Sequence, residues 1–355
     1  MLHDLLKYSL IKRLTEENML TIHRLVQAVQ IDTIEPEVQH QWAERVVRAV
    51  NSVFPRSPQE EATWPQCLRY LDQAQACDSL IRQHRLIFPE VADLLNRTGL
   101  YLADHASYTL AESLYVRALS IREQELGPQH LDTAKSLHNL AELHRHQRRY
   151  QQAEMLYLRA LTILEQHLGP QHSDTATALN DLAELYRSQG KYDQAEPLLQ
   201  RALAIFEQQL GPQHTYTAAA LHHLALLYED QGKYEHIESL LLHTLAICEQ
   251  QLGPQHTSTA TNLGSLATFY VKIGKYKQAE PLLQRALTIY EQQLGGEHPS
   301  TANALGNLAI LYYTQGKYTE LESLYQRILS TDTKVYRPDH PKIATDLSNL
   351  ASLYS

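Results

Sequence analysis

The segment 210–251, LGPQHTYTAAALHHLALLYEDQGKYEHIESLLLHTLAICEQQ, decides the fold because it is one copy of a unit that recurs every 42 residues. Two markers show the recurrence. A glycine near the start of the unit returns at Gly127, Gly169, Gly211, Gly253 and Gly295. A histidine three residues later returns at His130, His172, His214, His256, His298 and His340. Self-similarity at a fixed period is typical of solenoids, whose stacked copies bury one continuous core.

Each copy encodes two amphipathic helices. Helix A follows T-A-x-x-L-x-x-L-A-x-L-Y, whose apolar positions share one helical face. Helix B follows Y-x-x-A-E-x-L-L-x-R-A-L-x-I-x-E-Q. A glycine after helix A accepts the left-handed backbone that stops a helix, and it stands at Gly190, Gly232, Gly274 and Gly316. Arg148 and Ala106 hold this place in the first two copies, where we expect strained or differently shaped turns.

The repeated pattern resembles the tetratricopeptide repeat, in the 42-residue form of kinesin light chains and many bacterial repeat proteins. The resemblance covers roughly residues 89–355. It implies an all-α, right-handed superhelix of antiparallel helix pairs, an α-solenoid, with about six pairs and a final unpaired helix A. We expect equivalent buried places for Leu137, Leu179, Leu221, Leu263 and Leu305. Pro197 and Pro281 are expected near the start of helix B, where a missing N–H costs least.

Residues 1–34 predict a small fragment of a larger fold. The runs LLKYSLIKRL and MLTIHR read as a hairpin, and HRLVQAVQ has helical spacing. The stretches YSLIKR and LTIHRLVQAV resemble the end of the winged-helix region of bacterial STAND signalling NTPases of the NB-ARC type. That resemblance implies a chain that follows a nucleotide-binding domain. The alternative is a helical cap with a hairpin appendage.

Residues 35–88 predict a helical adaptor that covers the first repeat. A helix is expected to begin at Pro36 and to carry Val38, Trp42, Val46, Val50 and Val53 on one face. A second or split helix pair should follow the break at PRSPQE. Trp42 and Trp64 are interpreted as core anchors.

Composition excludes several classes of function. A net charge of -9 leaves no basic stripe for nucleic acid. No apolar run reaches the roughly 18 residues that span a bilayer, and no secretory signal is present. Three scattered cysteines suggest a reducing compartment, so a cytoplasmic protein is expected. No phosphate-binding loop or catalytic motif occurs, and the sequence predicts neither enzymatic activity nor a cofactor.

The resemblance implies that helix A lines a concave groove that binds a protein or peptide. Its candidate positions lie between the packing residues of each helix A. They are Lys135, His138, Asn139, Glu142, Arg145, Asn180, Asp181, Glu184, Arg187, His222, His223, Leu226, Gly264, Ser265, Thr268, Asn303, Gly306, Asn307, Ile310 and Tyr313. The lining changes from charged and amide-rich to small and apolar along the array.

Departures from the kinesin light chain pattern fall in the fourth to sixth repeats. Asparagines that hold a peptide backbone in that family are kept only at Asn139, Asn180, Asn307 and Asn349. Histidines and glycines replace them elsewhere, which puts a conventional peptide register in doubt. Mid-helix Gly264 and Gly306 would admit a partner's backbone, or they are harmless drift.

The 19 histidines raise the question of a metal site. The loop histidines occur once per repeat, on neighbours 8–10 Å apart or more, and cannot converge on one ion. We interpret them as loop hydrogen-bonders. His138, His222 and His223 are weaker candidates for metal binding or pH sensing.

These observations predict a protein-binding scaffold, the sensor arm of a STAND-type ATPase. The alternatives are a free-standing adaptor like kinesin light chain and, less favoured, a metal or enzymatic groove. Self-association through the final helix, with its apolar Leu347, Leu350 and Leu353, is a further alternative. Changing Arg145 and Arg187 to Glu is expected to abolish capture without loss of stability, on the premise that both are exposed.

Overall fold

The computed structural model describes residues 11–14, 19–22, 35–105, 107–335 and 341–353. Strands β1 (Ile11–Leu14) and β2 (Met19–Ile22) pair antiparallel, with Ile11 opposite Ile22. The predicted hairpin is therefore confirmed. The predicted helix at HRLVQAVQ lies outside the described residues.

Fifteen α-helices occupy the rest of the described ranges, and α2 follows a short 3₁₀ turn, Glu61–Thr63. Two of them precede the repeats: α1 (Pro36–Val53) and α2 (Trp64–His84). The helices A are α3 (Pro89–Asp104), α5 (Leu131–His146), α7 (Ser173–Ser188), α9 (Thr215–Asp230), α11 (Thr257–Lys272), α13 (Pro299–Thr314) and α15 (Pro341–Ala351). The helices B are α4 (Tyr108–Glu125), α6 (Tyr150–Leu168), α8 (Tyr192–Leu210), α10 (Ile237–Gln251, after a 3₁₀ turn), α12 (Tyr276–Leu294) and α14 (Tyr318–Val335).

The helices group into two compact units, an N-terminal unit of residues 1–143 and a C-terminal unit of residues 144–355. In the N-terminal unit, α1 and α2 pack on each other and on α3. Arg97 of α3 reaches back to this pair and donates to the carbonyls of Phe54, Pro55 and Asn51. In the C-terminal unit, each helix packs on its neighbour in the chain, as in a solenoid.

The buried stripe predicted for helix A is confirmed. Leu137, Leu179, Leu263 and Leu305 are 0% exposed, and Leu221 is 4% exposed. The alanines of the motif, such as Ala183 and Ala202, are also fully buried. Burial of each leucine contributes roughly 1.5–3 kcal/mol relative to exposure. The all-α solenoid is therefore confirmed, whereas the handedness of its superhelix stays a prediction.

The turns also follow the sequence. Gly190, Gly232, Gly274 and Gly316 have φ between 71° and 77°, in the left-handed region. Arg148 takes the same place with φ of 59°, which confirms the strained turn expected there. Ala106 lies outside the described residues.

The loop histidines cap helix A. Nδ1 of His172, His214, His256 and His298 accepts a hydrogen bond of 3.0–3.2 Å from the backbone N–H two residues later. His130 makes the same contact with Asp132. A free N–H at a helix start needs an acceptor, so these histidines are structural hydrogen-bonders, as predicted.

A Tyr–Lys–Glu ladder, which the sequence pattern did not reveal, joins consecutive repeats. One rung consists of Glu238 on helix B, Tyr270 at the end of the next helix A, and Lys275 after it. The Tyr270 hydroxyl donates to Glu238 at 2.8 Å, and Lys275 Nζ lies 2.9 Å from the same carboxylate and over the tyrosine ring. Equivalent rungs are Glu154, Tyr186 and Lys191, then Glu196, Tyr228 and Lys233, with Glu280, Tyr312 and Lys317 joined through the lysine.

The structure corrects two expectations about packing in the adaptor. The α1 face that carries Val38, Val46 and Val53 is exposed, and Trp42 is 55% exposed with Arg45 over its ring, so Trp42 is not a core anchor. The buried residues of α1 are instead Ala43 and Val47. The adaptor also has one continuous second helix, α2, rather than a split pair.

Pro197 and Pro281 lie inside α8 and α12 and not in the first turn. Each is the sixth residue of its helix, so each removes one hydrogen bond of the helical ladder. The expectation that these prolines sit where the N–H is dispensable was wrong.

The Tyr–Lys–Glu ladder can be tested at one rung. Burial, together with the hydrogen bond to Glu238, raises the pKa of Tyr270 to about 12. Tyr270→Phe keeps the buried ring and deletes this bond, so it should lower the free energy of unfolding by about 1 kcal/mol in urea denaturation. Tyr276→Phe is the control: the Tyr276 hydroxyl bonds to none of the described residues, and a change within about 0.5 kcal/mol is expected. Equal effects of the two substitutions would contradict the role of the ladder.

Candidate binding face on helices A

The predicted groove positions lie between the packing residues of helices α5, α7, α9, α11 and α13. Those on α7, α9, α11 and α13, in the C-terminal unit, form what we call the binding face. In the N-terminal unit, the predicted position Lys135 is exposed and pairs with Asp132 at 2.9 Å. Asn139 donates to Asn96 of α3 at 3.0 Å. His138 and Glu142 are half-buried beside it.

The C-terminal unit carries a charged cluster centred on Glu184 of α7. Arg187 contacts its carboxylate at 2.7 and 2.8 Å, Nδ1 of His223 lies 3.4 Å away, and Arg145 lies 3.9 Å away. Burial by itself would raise the pKa of Glu184, but hydrogen bonds from Arg187 and the neighbouring His223 outweigh it and lower the pKa to about 2. Glu184 is thus a permanently charged, half-buried anion held by its neighbours.

Salt bridges extend this cluster from helix to helix. Arg187 also pairs with Asp230 of α9, and the hydrogen bonds of Glu184 raise the pKa of Arg187 above its ordinary value. Glu229 of α9 accepts from Lys272 of α11 at 3.1 Å. Asn180 is buried, and Asp181 and Leu226 are half-buried between these contacts.

A polar chain and a cavity lie between α9, α10 and α11. Nδ1 of His222 lies 3.1 Å from Oδ1 of Asn262, whose amide donates to Sγ of Cys248 at 3.3 Å and to the Ser258 carbonyl at 2.9 Å. Burial, with His223 adding to it, lowers the pKa of His222 to about 4. A cavity of about 220 Å³, the Cys248 cavity, opens beside these groups and is also lined by Ala218.

The far end of the binding face, on α11 and α13, carries two glycines and two exposed apolar side chains. A Cβ on Gly264 would lie 3.7 Å from Asn307, whereas one on Gly306 would meet nothing within 4 Å. Ile310 is 50% exposed and Tyr313 is 58% exposed. The half-buried Ser265 and Thr268 lie on α11, and exposed Asn303 on α13 accepts from Lys342.

The premise of the arginine exchange is wrong. The side chains of Arg145 and Arg187 are only 19% and 22% exposed, and both face carboxylates. A glutamate at 187 would lie against Glu184 and Asp230, so the exchange would disturb folding as well as binding. It cannot report on binding alone.

The sequence reasoning missed Cys248, Asn262 and Lys272. For Cys248, comparison of the repeat copies contains a signal. The motif I-x-E-Q-Q-L carries Phe206 and Tyr290 in the flanking copies and Cys248 in this one. Asn262 and Lys272 become relevant only through their partners on the preceding helix A, which a single-helix pattern does not contain.

Neither a metal centre nor a membrane span is found among the described residues. No three His, Cys, Asp or Glu side chains are grouped so that they could hold an ion. No helix there combines the length and apolar character needed to cross a bilayer.

Comparison with known proteins gives two family matches. A tetratricopeptide repeat family model matches in six overlapping windows, from residues 90–166 to residues 300–355. A domain of unknown function, DUF7779, matches residues 1–39.

Three individual proteins illustrate the similarity. A nucleotide-binding leucine-rich repeat (NLR)-like protein of Hyaloscypha variabilis is 36% identical over 139 residues, which cover 37% of this chain and 13% of that protein. A signal transduction ATPase with numerous domains (STAND) from Pyrococcus horikoshii, which has a tetratricopeptide repeat sensor, matches 99% of this chain and 48% of its own, at 14% identity and a TM-score of 0.59. A putative kinesin light chain repeat protein of Podospora anserina matches 59% of this chain and 99% of its own, at 27% identity and a TM-score of 0.48.

The neutral state of the half-buried His222 predicts a pH dependence. Its pKa is about 4 in the folded chain against an ordinary 6.5, so the unfolded chain binds more protons between these values. The stability that neutral His222 confers is full above pH 6.5 and falls by on the order of 3 kcal/mol as the pH drops to 4. His222→Asn, which copies Asn180 of the preceding repeat, should flatten the slope in urea unfolding across this window.

The exposed histidine His243 provides the control. His243→Asn should leave the slope of the wild-type chain unchanged. An unaltered slope in His222→Asn would show that His222 is not a buried neutral group in solution.

Proposed function

This chain belongs to the tetratricopeptide repeat family, and from that premise we propose that it is a non-enzymatic scaffold that binds a protein or peptide on the binding face. The observation that carries the proposal is a contrast within each helix A. The packing positions repeat with the stride of 42 residues, whereas the face positions do not. Positions that vary from copy to copy are not fixed by the common packing of the repeats, although Glu184 and Arg187 also pair with neighbouring side chains. Such variation is expected where a face serves recognition.

The chemistry of the face suits a polypeptide. Its first half presents charged and amide groups held rigidly by salt bridges, which lowers the entropy cost of ordering side chains on binding. Its far end exposes Ile310 and Tyr313, and exposed tyrosine is characteristic of protein interfaces. A chain of mixed polar and apolar side chains would match this gradient.

We also propose that the array is the sensor arm of a larger STAND-type signalling ATPase. The resemblance of residues 1–34 to a winged-helix end supports this, and the NLR-like relative and the STAND protein are consistent with it. An upstream reading frame that encodes a phosphate-binding loop would support the sensor arm. Its absence would favour the alternative, a free-standing adaptor.

Self-association through α15 is a second proposed use of the array. Leu347 is 51% exposed on this helix. Light scattering across a concentration series tests self-association. A monomer at every concentration would contradict this proposal.

The binding face can be tested with exposed residues, which avoid the folding defect of the arginine exchange. The double change Ile310→Asp and Tyr313→Asp should lower capture of a binding peptide, selected from a displayed library on the full chain, by about tenfold or more. Leu242→Asp is the matched control, because Leu242 is 45% exposed on α10 and lies off the face. Circular dichroism should show equal helicity for both variants. Equal capture by both would place binding elsewhere on the molecule.

A further inference from the structure

The Cys248 cavity is the most specific feature that the proposed function leaves unused. Its buried floor consists of Ala218, Thr244 and Cys248, which are at most 4% exposed. Its rim includes Ala219 and Thr261, which are exposed. The face residues His222 and His223 also line it, so the cavity lies beside the binding face, between α9, α10 and α11.

The cavity lies where small side chains occupy two positions that hold aromatic rings one repeat earlier. The position of Cys248 on helix B is occupied by Phe206 in the preceding repeat and by Tyr290 in the following one. Phe206 is 2% exposed and stacks on Tyr216 with ring centres 5.6 Å apart. The position of Tyr216 is occupied in the next repeat by Ser258, which also lines the cavity. Small side chains thus stand where a neighbouring repeat packs two rings.

The lining selects against charge. None of the residues around the cavity is Lys, Arg, Asp or Glu. Both donors of the Asn262 amide are engaged, by Cys248 and by the Ser258 carbonyl. His222 is uncharged at neutral pH, and His223 faces Glu184. A charged group that entered would lose water without gaining an oppositely charged carboxylate, ammonium or guanidinium in the lining, which is costly.

The size of the cavity indicates one side chain. Typical small-molecule sites enclose roughly 300–1,000 Å³. At about 220 Å³ the Cys248 cavity is below that range, yet it is large enough for a ring. Aromatic side chains are also the usual anchors that fill such pockets in protein interfaces.

We propose that the Cys248 cavity is an anchor subsite that receives one uncharged aromatic side chain of the bound polypeptide. The ring takes the place that Phe206 fills from within the chain in the preceding repeat. This inference rests on the proposed function, because it assigns a specificity to the binding face.

The probe is p-cresol, the side-chain equivalent of tyrosine, titrated into the full chain. Binding is followed by the ¹³C-methyl NMR signals of Ala218 and Ala219, which line the cavity. For a ligand of this size we expect a Kd of the order of millimolar. The similarly sized 4-methylbenzoate and 4-methylbenzylamine should bind at least about tenfold more weakly, because a buried charge would be unpaired.

Two variants at one position complete the test. Cys248→Phe restores the ring of the neighbouring repeat, so it should abolish the p-cresol shifts and any capture that depends on an aromatic residue of the selected peptide. Cys248→Ser is the control, because it keeps the cavity and should bind p-cresol within about twofold of the wild type. If Cys248→Phe is poorly folded, the comparison of p-cresol with its charged analogues in the wild-type chain still decides the proposal.

Three results would overturn it: no saturable shift with p-cresol, equal binding of a charged analogue, or unchanged binding in a folded Cys248→Phe variant. These results are independent of peptide capture. A chain that captures peptides but ignores p-cresol keeps the binding face and loses the anchor subsite. A chain that binds p-cresol but captures no peptide keeps the cavity and loses the proposed function.

Discussion

Burial of one alanine–leucine stripe on every helix A is the constraint on which the rest of the structure depends. In α7 this stripe is Ala176, Leu179, Leu182 and Ala183, none of which is more than 2% exposed. The alanines let helices approach closely, and the leucines fill the space that remains. A helix pair cannot bury this stripe alone, so each repeat needs its neighbours.

The stripe occupies only one side of each helix A. The positions between the packing residues remain available for the binding face. The polar groups of that face pair mostly with one another, as Glu184 does with Arg187 and His223. Water is thereby partly replaced by protein partners, which would lower the entropy cost of ordering these side chains if a ligand bound. Its charged residues also contribute to folding, so under the proposed function recognition and stability would be coupled at Glu184 and Arg187.

The Tyr–Lys–Glu ladder is independent of this face. Each rung joins residues 32 and 37 positions apart, from a helix B to the end of the next helix A. Apolar packing in the stripe depends on shape and tolerates small shifts of one helix along another. The hydrogen bonds that a hydroxyl and an ammonium donate to one carboxylate are directional and tolerate less. The ladder therefore helps to hold consecutive repeats in register. The three residues recur in four consecutive copies, whereas His144 and Arg149 stand at the tyrosine and lysine positions of the copy before them.

Sequence by itself determined the fold class, the helix pairs, the left-handed turns and the structural role of the loop histidines, whereas the structure showed that these histidines cap helix A. These depend on local periodicity and backbone conformation, which the chain carries within a single repeat. Only the tertiary structure decided which apolar face of α1 is buried, because Trp42 and Ala43 differ by one position and packing selects between their faces. It also decided that the Arg187 side chain is engaged in salt bridges and is not freely exposed, because its partners Glu184 and Asp230 lie on two helices. The Cys248 cavity was also decided by the tertiary structure. The sequence shows a cysteine where the flanking copies have an aromatic residue, but whether neighbouring side chains fill the space depends on how α9, α10 and α11 pack.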